Sequence, residues 1–125
     1  MTSLAIVGSR AFPDLERVRA IVRELPADTL VISGGASWVD RVAVDEARWC
    51  GLAVTAYPAD WQRYGRRAGA VRNQQMVESA DEVAAFWDGA SSGTLVTIRA
   101  LEETAPVEAQ GPWRTESGDG LAKYR

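Results

Sequence analysis

Glycines, hydroxyls and an arginine follow three short apolar runs of this chain, and together they make the chemistry of an anion site. Gly8-Ser9-Arg10 comes after Leu4–Val7, Ser33-Gly34-Gly35-Ala36-Ser37 after Thr29–Ile32, and Asp88-Gly89-Ala90-Ser91-Ser92-Gly93-Thr94 after Glu82–Trp87. Glycine lets backbone N–H groups come close to a phosphate, hydroxyls add donors, and a helix starting behind such a loop adds the positive end of its dipole. One Gly-Gly pair reads first as a tight turn; three such loops at one sheet edge argue for a cradle. A second signal is charge. Between Trp61 and Val77 stand four arginines, Arg63, Arg66, Arg67 and Arg72, and no acidic residue, in a chain of formal net charge −3. That stretch reads either as a solvated basic helix face or as a local anion site.

Other chemistries are closed off by residue type. The chain has no histidine and one cysteine, Cys50, which removes His-based metal ligation, Ser-His and Cys-His nucleophiles and any intramolecular disulfide. Cys50 sits in an apolar stretch and is expected to behave as a small buried hydrophobe. No Gly-x-Gly-x-x-Gly follows the first apolar run, and no Gly-x-x-x-x-Gly-Lys-Ser/Thr occurs; a standard dinucleotide fold and a Walker-type NTPase are therefore not expected. No cofactor or metal is expected. No apolar run reaches the ~20 residues of a membrane span, and the first residues lack a signal-peptide pattern, so the expected setting is cytoplasmic. The acidic balance argues against broad nucleic-acid binding. Thirteen arginines against a single lysine, Lys123, point to a GC-rich bacterial or phage genome.

These loops need elements to hold them. Leu4–Val7, Thr29–Ser33, Leu52–Tyr57 and Glu82–Trp87 read as β-strands, each closed by glycine or proline or by Asp88-Gly89. Between them, Pro13 and Asp14 open a helix whose apolar positions are Leu15, Val18, Ile21, Val22 and Leu25, with Pro26 ending it. Trp38–Trp49 is a second helix, with Val39, Val42, Ala43, Ala47 and Cys50 as its apolar side; Arg67–Ser79 is a weaker third and Thr94–Glu103 a fourth. Strand–helix alternation repeated four times predicts an α/β fold: a Rossmann-like, open, mainly parallel sheet of four to five strands with helices on both faces. Residues 1–105 form the expected domain, and 106–125 an irregular C-terminal tail in which Val107 offers a weak start to a fifth strand and Trp113 or Tyr124 an anchor. In such a sheet ligands bind outside the carboxyl ends of the strands, which is where the loops above fall.

Taken in order, these residues resemble a known family. Gly8-Ser9-Arg10, Ser33-Gly34-Gly35-Ala36 with Asp40, Pro58-Ala59-Asp60-Trp61, Tyr64-Gly65 with Ala68-Gly69, Arg72-Asn73-Gln74-Gln75-Met76, and Phe86-Trp87-Asp88-Gly89 with Ser92-Gly93-Thr94 look like the YspA/YpsA-like branch of the SLOG superfamily. The superfamily includes the Lonely-guy phosphoribohydrolases and the DNA-processing protein DprA. The resemblance implies a nucleotide or nucleotide-derived ligand and a tendency to form homodimers or higher homo-oligomers. It also implies that the sugar-releasing chemistry uses a glutamate three residues after Gly-Thr. Here Gly93-Thr94 is followed by Leu95-Val96-Thr97, and Thr97 cannot act as a carboxylate acid or base.

Site assignments follow from both readings. The ligand-binding set is Gly8, Ser9, Arg10, Gly34, Gly35, Ala36, Asp40, Arg72, Asn73, Asp88, Gly89, Ser91, Ser92, Gly93 and Thr94. Arg72 is either a bidentate phosphate clamp or the partner of Glu78 or Asp81 in a surface ion pair. Asp88 is a ribose acceptor, a base or plain turn chemistry. Asp40 is expected to fix the Gly34-Gly35 loop, and Trp38, in place of a smaller residue, either reshapes the pocket or packs on the neighbouring helix. Trp61 is a candidate for stacking on a base, and Trp87 reads as core. The expected function is binding, as sensor, carrier or sequestering protein. The alternatives are N-glycosidic hydrolysis of nucleoside monophosphates, with Arg72 and Asp88 as catalytic candidates, and single-stranded DNA binding by analogy with DprA.

Overall fold

The computed structural model describes residues 2–8, 12–35, 37–86 and 121–124. The chain runs β1 (Thr2–Gly8), α1 (Leu15–Arg23), β2 (Thr29–Ser33), α2 (Trp38–Trp49), β3 (Ala53–Ala56), α3 (Trp61–Tyr64), a 3₁₀ turn (Gly65–Arg67), α4 (Ala68–Ser79), β4 (Glu82–Phe86) and β5 (Leu121–Tyr124). The expected helix over Thr94–Glu103 lies outside the described residues.

One five-stranded sheet in the order β3-β2-β1-β4-β5 carries the fold. Its first four strands are mutually parallel, with Leu4 opposite Val31 on one side and Ile6 opposite Ala84 on the other, and β5 lies antiparallel beside β4. β1 and β4 are covered on both faces, which is why they read as unbroken apolar runs rather than as alternation. On one face Leu4, Ile6, Val31, Ala84 and Phe86 pack against Val18 and Val22 of α1 and Val39, Val42, Ala43 and Ala47 of α2. On the other, Ala5, Val7, Ile32, Val83 and Ala85 meet Met76, with Val77 alongside, from α4. Each fully buried Leu, Ile, Val or Phe side chain contributes about 1.5–3 kcal/mol. Phe12, ahead of α1, closes the first core with its ring 5.3 Å from that of Phe86, edge to face.

Local chemistry sets the helix starts. Asp14 caps α1 by accepting the Arg17 N–H, and Ser37 opens α2 as half of a capping box with Asp40. α4 runs back across the sheet toward the start of β1. There the Asp81 carboxylate accepts the Ser3 N–H at 2.9 Å while the Asp81 N–H donates to the Ser3 carbonyl at 3.0 Å. The other end of α4 therefore stands at the carboxyl edge of the strands.

Three details differ from the sequence expectation. β3 is shorter than Leu52–Tyr57, because its pairing with β2 runs only from Leu30 with Ala53 to Ser33 with Ala56, where β2 ends. Cys50 is exposed rather than buried: it is the residue capping the end of α2, and the inward position falls to Leu52. The end of the tail is regular, since Leu121–Tyr124 pairs with β4 in the register Val83 with Tyr124 and Phe86 with Leu121. That strand was invisible in the pattern because it is only four residues long.

Candidate functional site

β1 sits between β2 and β4, so the chain leaves it on one side toward β2 and returns on the other at β4. This is the switch point of the sheet, where an open α/β fold has its crevice. Gly8 and Phe86 are paired across it as the last residues of their strands. Ser9, Arg10 and Ala36, and Asp88, Gly89, Ser91, Ser92, Gly93 and Thr94, lie outside the described residues, as do Trp87 and Thr97. Of the expected set, Gly8, Gly34, Gly35, Asp40, Arg72 and Asn73 are described, and all six come to the same edge.

Gly8 is a close approach between strand and helix. A Cβ placed on it would lie 2.6 Å from Val39, in the first turn of α2, so the missing side chain is what brings α2's first turn against the end of β1. Gly34 plays the same part toward a side chain: a Cβ there would fall 2.6 Å from Nη1 and 2.7 Å from Cζ of Arg72. Gly35 is exposed and donates its N–H to the buried Ser33 Oγ at 3.2 Å. The loop is closed by the capping box, in which Asp40 Oδ2 accepts the Ser37 N–H at 3.1 Å and Ser37 Oγ accepts the Asp40 N–H at 3.2 Å. Asp40 is thus committed to the backbone of α2's first turn and is 5% exposed.

Arg72 is the centre of this edge. It projects from α4 onto Gly34, 9% exposed, donating Nη1–H to the Gly34 carbonyl at 2.9 Å and Nε–H to Asn73 Oδ1 at 2.8 Å. The ion pair with Glu78 or Asp81 does not form: Glu78 accepts from Gln74, and Asp81 is held by Ser3. Both partners of Arg72 are neutral, and among the described residues no carboxylate pairs with it. A guanidinium carries five N–H donors, and the hydrogen bonds above use two. A buried cation in that condition is costly unless an anion completes it.

The tryptophans behave differently from core aromatics. Trp38, at the start of α2 just after the glycine loop, is 61% exposed with the Arg41 guanidinium 5.4 Å from its ring, so it is not buried against a neighbouring helix. Trp61 is 58% exposed. Sequence reasoning passed over α3 and the 3₁₀ turn that present it. The available signal was Asp60, whose carboxylate caps α3 by accepting the Arg63 N–H at 3.1 Å. Among the described residues no group of three or more Cys, Asp or Glu is placed to hold a metal, and no helix is long and apolar enough to cross a membrane.

No known family model and no solved structure matches the chain. The Gene 61 protein of Mycobacterium phage D29 is 36% identical over 114 residues, covering 82% of this chain and 90% of the phage protein. A phage relative agrees with the arginine-over-lysine bias of the sequence. On that identity and coverage, the chain belongs to the same family as the Gene 61 protein of Mycobacterium phage D29.

Proposed function

We propose that this protein binds a nucleotide or nucleotide-derived small molecule at the carboxyl edge of β1, β2 and β4, with Arg72 as the anion clamp. One observation carries the reading: Arg72, 9% exposed, lies with its guanidinium against a glycine that leaves room for it, and its hydrogen-bond partners among the described residues are neutral. A phosphate oxygen on its remaining donors would supply the missing negative charge, and charge-assisted bonds of that kind are the strong ones. The position beside the switch point supports it, and so does the order of motifs that resembles the YspA/YpsA-like branch of the SLOG superfamily. With Thr97 where that superfamily's hydrolases carry a glutamate, we read the pocket as one that holds its ligand without cutting it.

The test is a thermal-shift and calorimetry panel of nucleotides, ADP-ribose derivatives and cyclic nucleotides on the full chain, with Arg72→Ala beside it. The expected outcome is saturable binding by at least one class, lost in the variant. Silence across the panel overturns the proposal. Release of free base from a nucleoside monophosphate, abolished by Arg72→Ala, would replace binding with hydrolysis.

A further inference from the structure

Next to this pocket lies a strongly charged segment that the clamp does not use. Asp81 is bonded to Ser3 at the amino end of β1, and Arg72 reaches Gly34 at the carboxyl end of β2; the residues leading into α4 therefore stand at the carboxyl edge too. They are Trp61 to Arg67, and they present Arg63, Arg66 and Arg67 to solvent together with the exposed indole of Trp61. Trp61 lies over the first turn of α4, with its ring 4.0 Å from where a Gly69 Cβ would stand. Asp60 is the nearest acidic residue in sequence, and its carboxylate is committed to the Arg63 N–H. From Arg67 to Arg72 is five residues, a rise of about 7.5 Å along the helix direction. Residues five apart also lie about 140° apart around a helix, so the exposed arginines of the segment would meet a second or third phosphate by reaching round the first turn of α4.

We infer that Arg63, Arg66 and Arg67 form a second anion subsite continuous with Arg72, and that the ligand is a nucleotide carrying more than one phosphate. The inference rests on the pocket proposed above and names its ligand class. Charge complementarity is the argument: in a molecule with 17 acidic and 14 basic residues, four arginines fall within ten positions with no carboxylate among them. Such a cluster repels itself in the free protein and is relieved by a polyanion. Exposed guanidinium groups act through the field and are screened by salt, so this subsite adds a salt-sensitive increment, whereas the contact at buried Arg72 is less so.

Titration of the full chain with the mono-, di- and triphosphate of one nucleoside, without divalent metal and at two ionic strengths, decides it. Affinity is expected to rise about fivefold or more per added phosphate at low salt and to flatten at high salt. Arg66→Ala/Arg67→Ala should erase the increments while leaving monophosphate affinity in place, and Arg72→Ala should weaken all three. Inorganic tripolyphosphate, measured against inorganic phosphate, probes the segment without a base and should bind more tightly to the wild type than to the double variant. Equal affinities across the series and for the two inorganic probes overturn the subsite and leave the pocket standing. No binding by any nucleotide overturns the pocket, and the subsite with it. Tight binding of an oligodeoxynucleotide that depends on Arg66 and Arg67, with no gradient among the nucleotides, reassigns the segment to single-stranded nucleic acid.

Discussion

Arg72 and Gly34 constrain each other, and the constraint separates stability from binding. Holding buried Arg72 against partners that, among the described residues, are neutral is a cost to the free protein, and replacing a buried charge by an apolar side chain of similar volume is often neutral or stabilising. Arg72→Met is therefore expected to leave the unliganded protein at least as stable in urea titration while abolishing ligand-induced stabilisation. A variant that loses several kcal/mol without ligand would show instead that Arg72 is a structural strut for the Gly34 carbonyl. Gly8 makes the opposite case. A Cβ there meets Val39, and overpacking of that sort costs about 1–3 kcal/mol. Gly8→Ala should lose that much in chemical denaturation. In a double-mutant cycle with Val39→Ala the two should couple by about 0.5–3 kcal/mol, the range for residues in contact; strict additivity would mean that the strand end relaxes without pressing on α2.

At the scale of elements, α2 depends on its first turn. Ser37 and Asp40 satisfy one another's backbone donors inside the loop that carries Gly34 and Gly35, so Ser37→Ala is expected to cost about 1 kcal/mol and to weaken ligand binding by disordering that loop. Thermal unfolding and calorimetry on the one variant check both effects. α2 and β2 were legible from sequence to the residue, because a closing Gly51 and a β-branched run between Pro26 and Gly34 punctuate the chain locally. Of the glycine-rich edge, one role was not legible: Gly8 and Gly34, read from sequence as ligand contacts, are also packing positions against Val39 and Arg72. Such contacts join residues 31 and 38 positions apart, and no local pattern encodes them. β5 escaped for a similar reason, since among the described residues its one pairing partner, β4, lies far upstream. α3 was missed because four residues are too few for a periodicity to show.

Across the whole molecule, β1 is the strand on which everything else is hung, with β2 on one side and β4 on the other. The ties at its amino end join Ser3 to Asp81 across 78 positions of sequence, a long-range closure that slows folding. A chain stopped at Ala80 lacks β4 and presents the open edge of Leu4–Val7, an apolar strand edge of the kind that templates aggregation. It is expected to be insoluble, or to unfold without a cooperative transition in calorimetry, while the full chain melts as one unit. The same arrangement governs how the protein is made. Of the described elements β1 is made first, yet its second neighbour is translated 78 residues later, about 4–16 s at ordinary synthesis rates of about 5–20 residues per second. For that interval the future centre of the sheet is a half-paired apolar ribbon, the kind of transiently exposed edge on which folding chains misassociate.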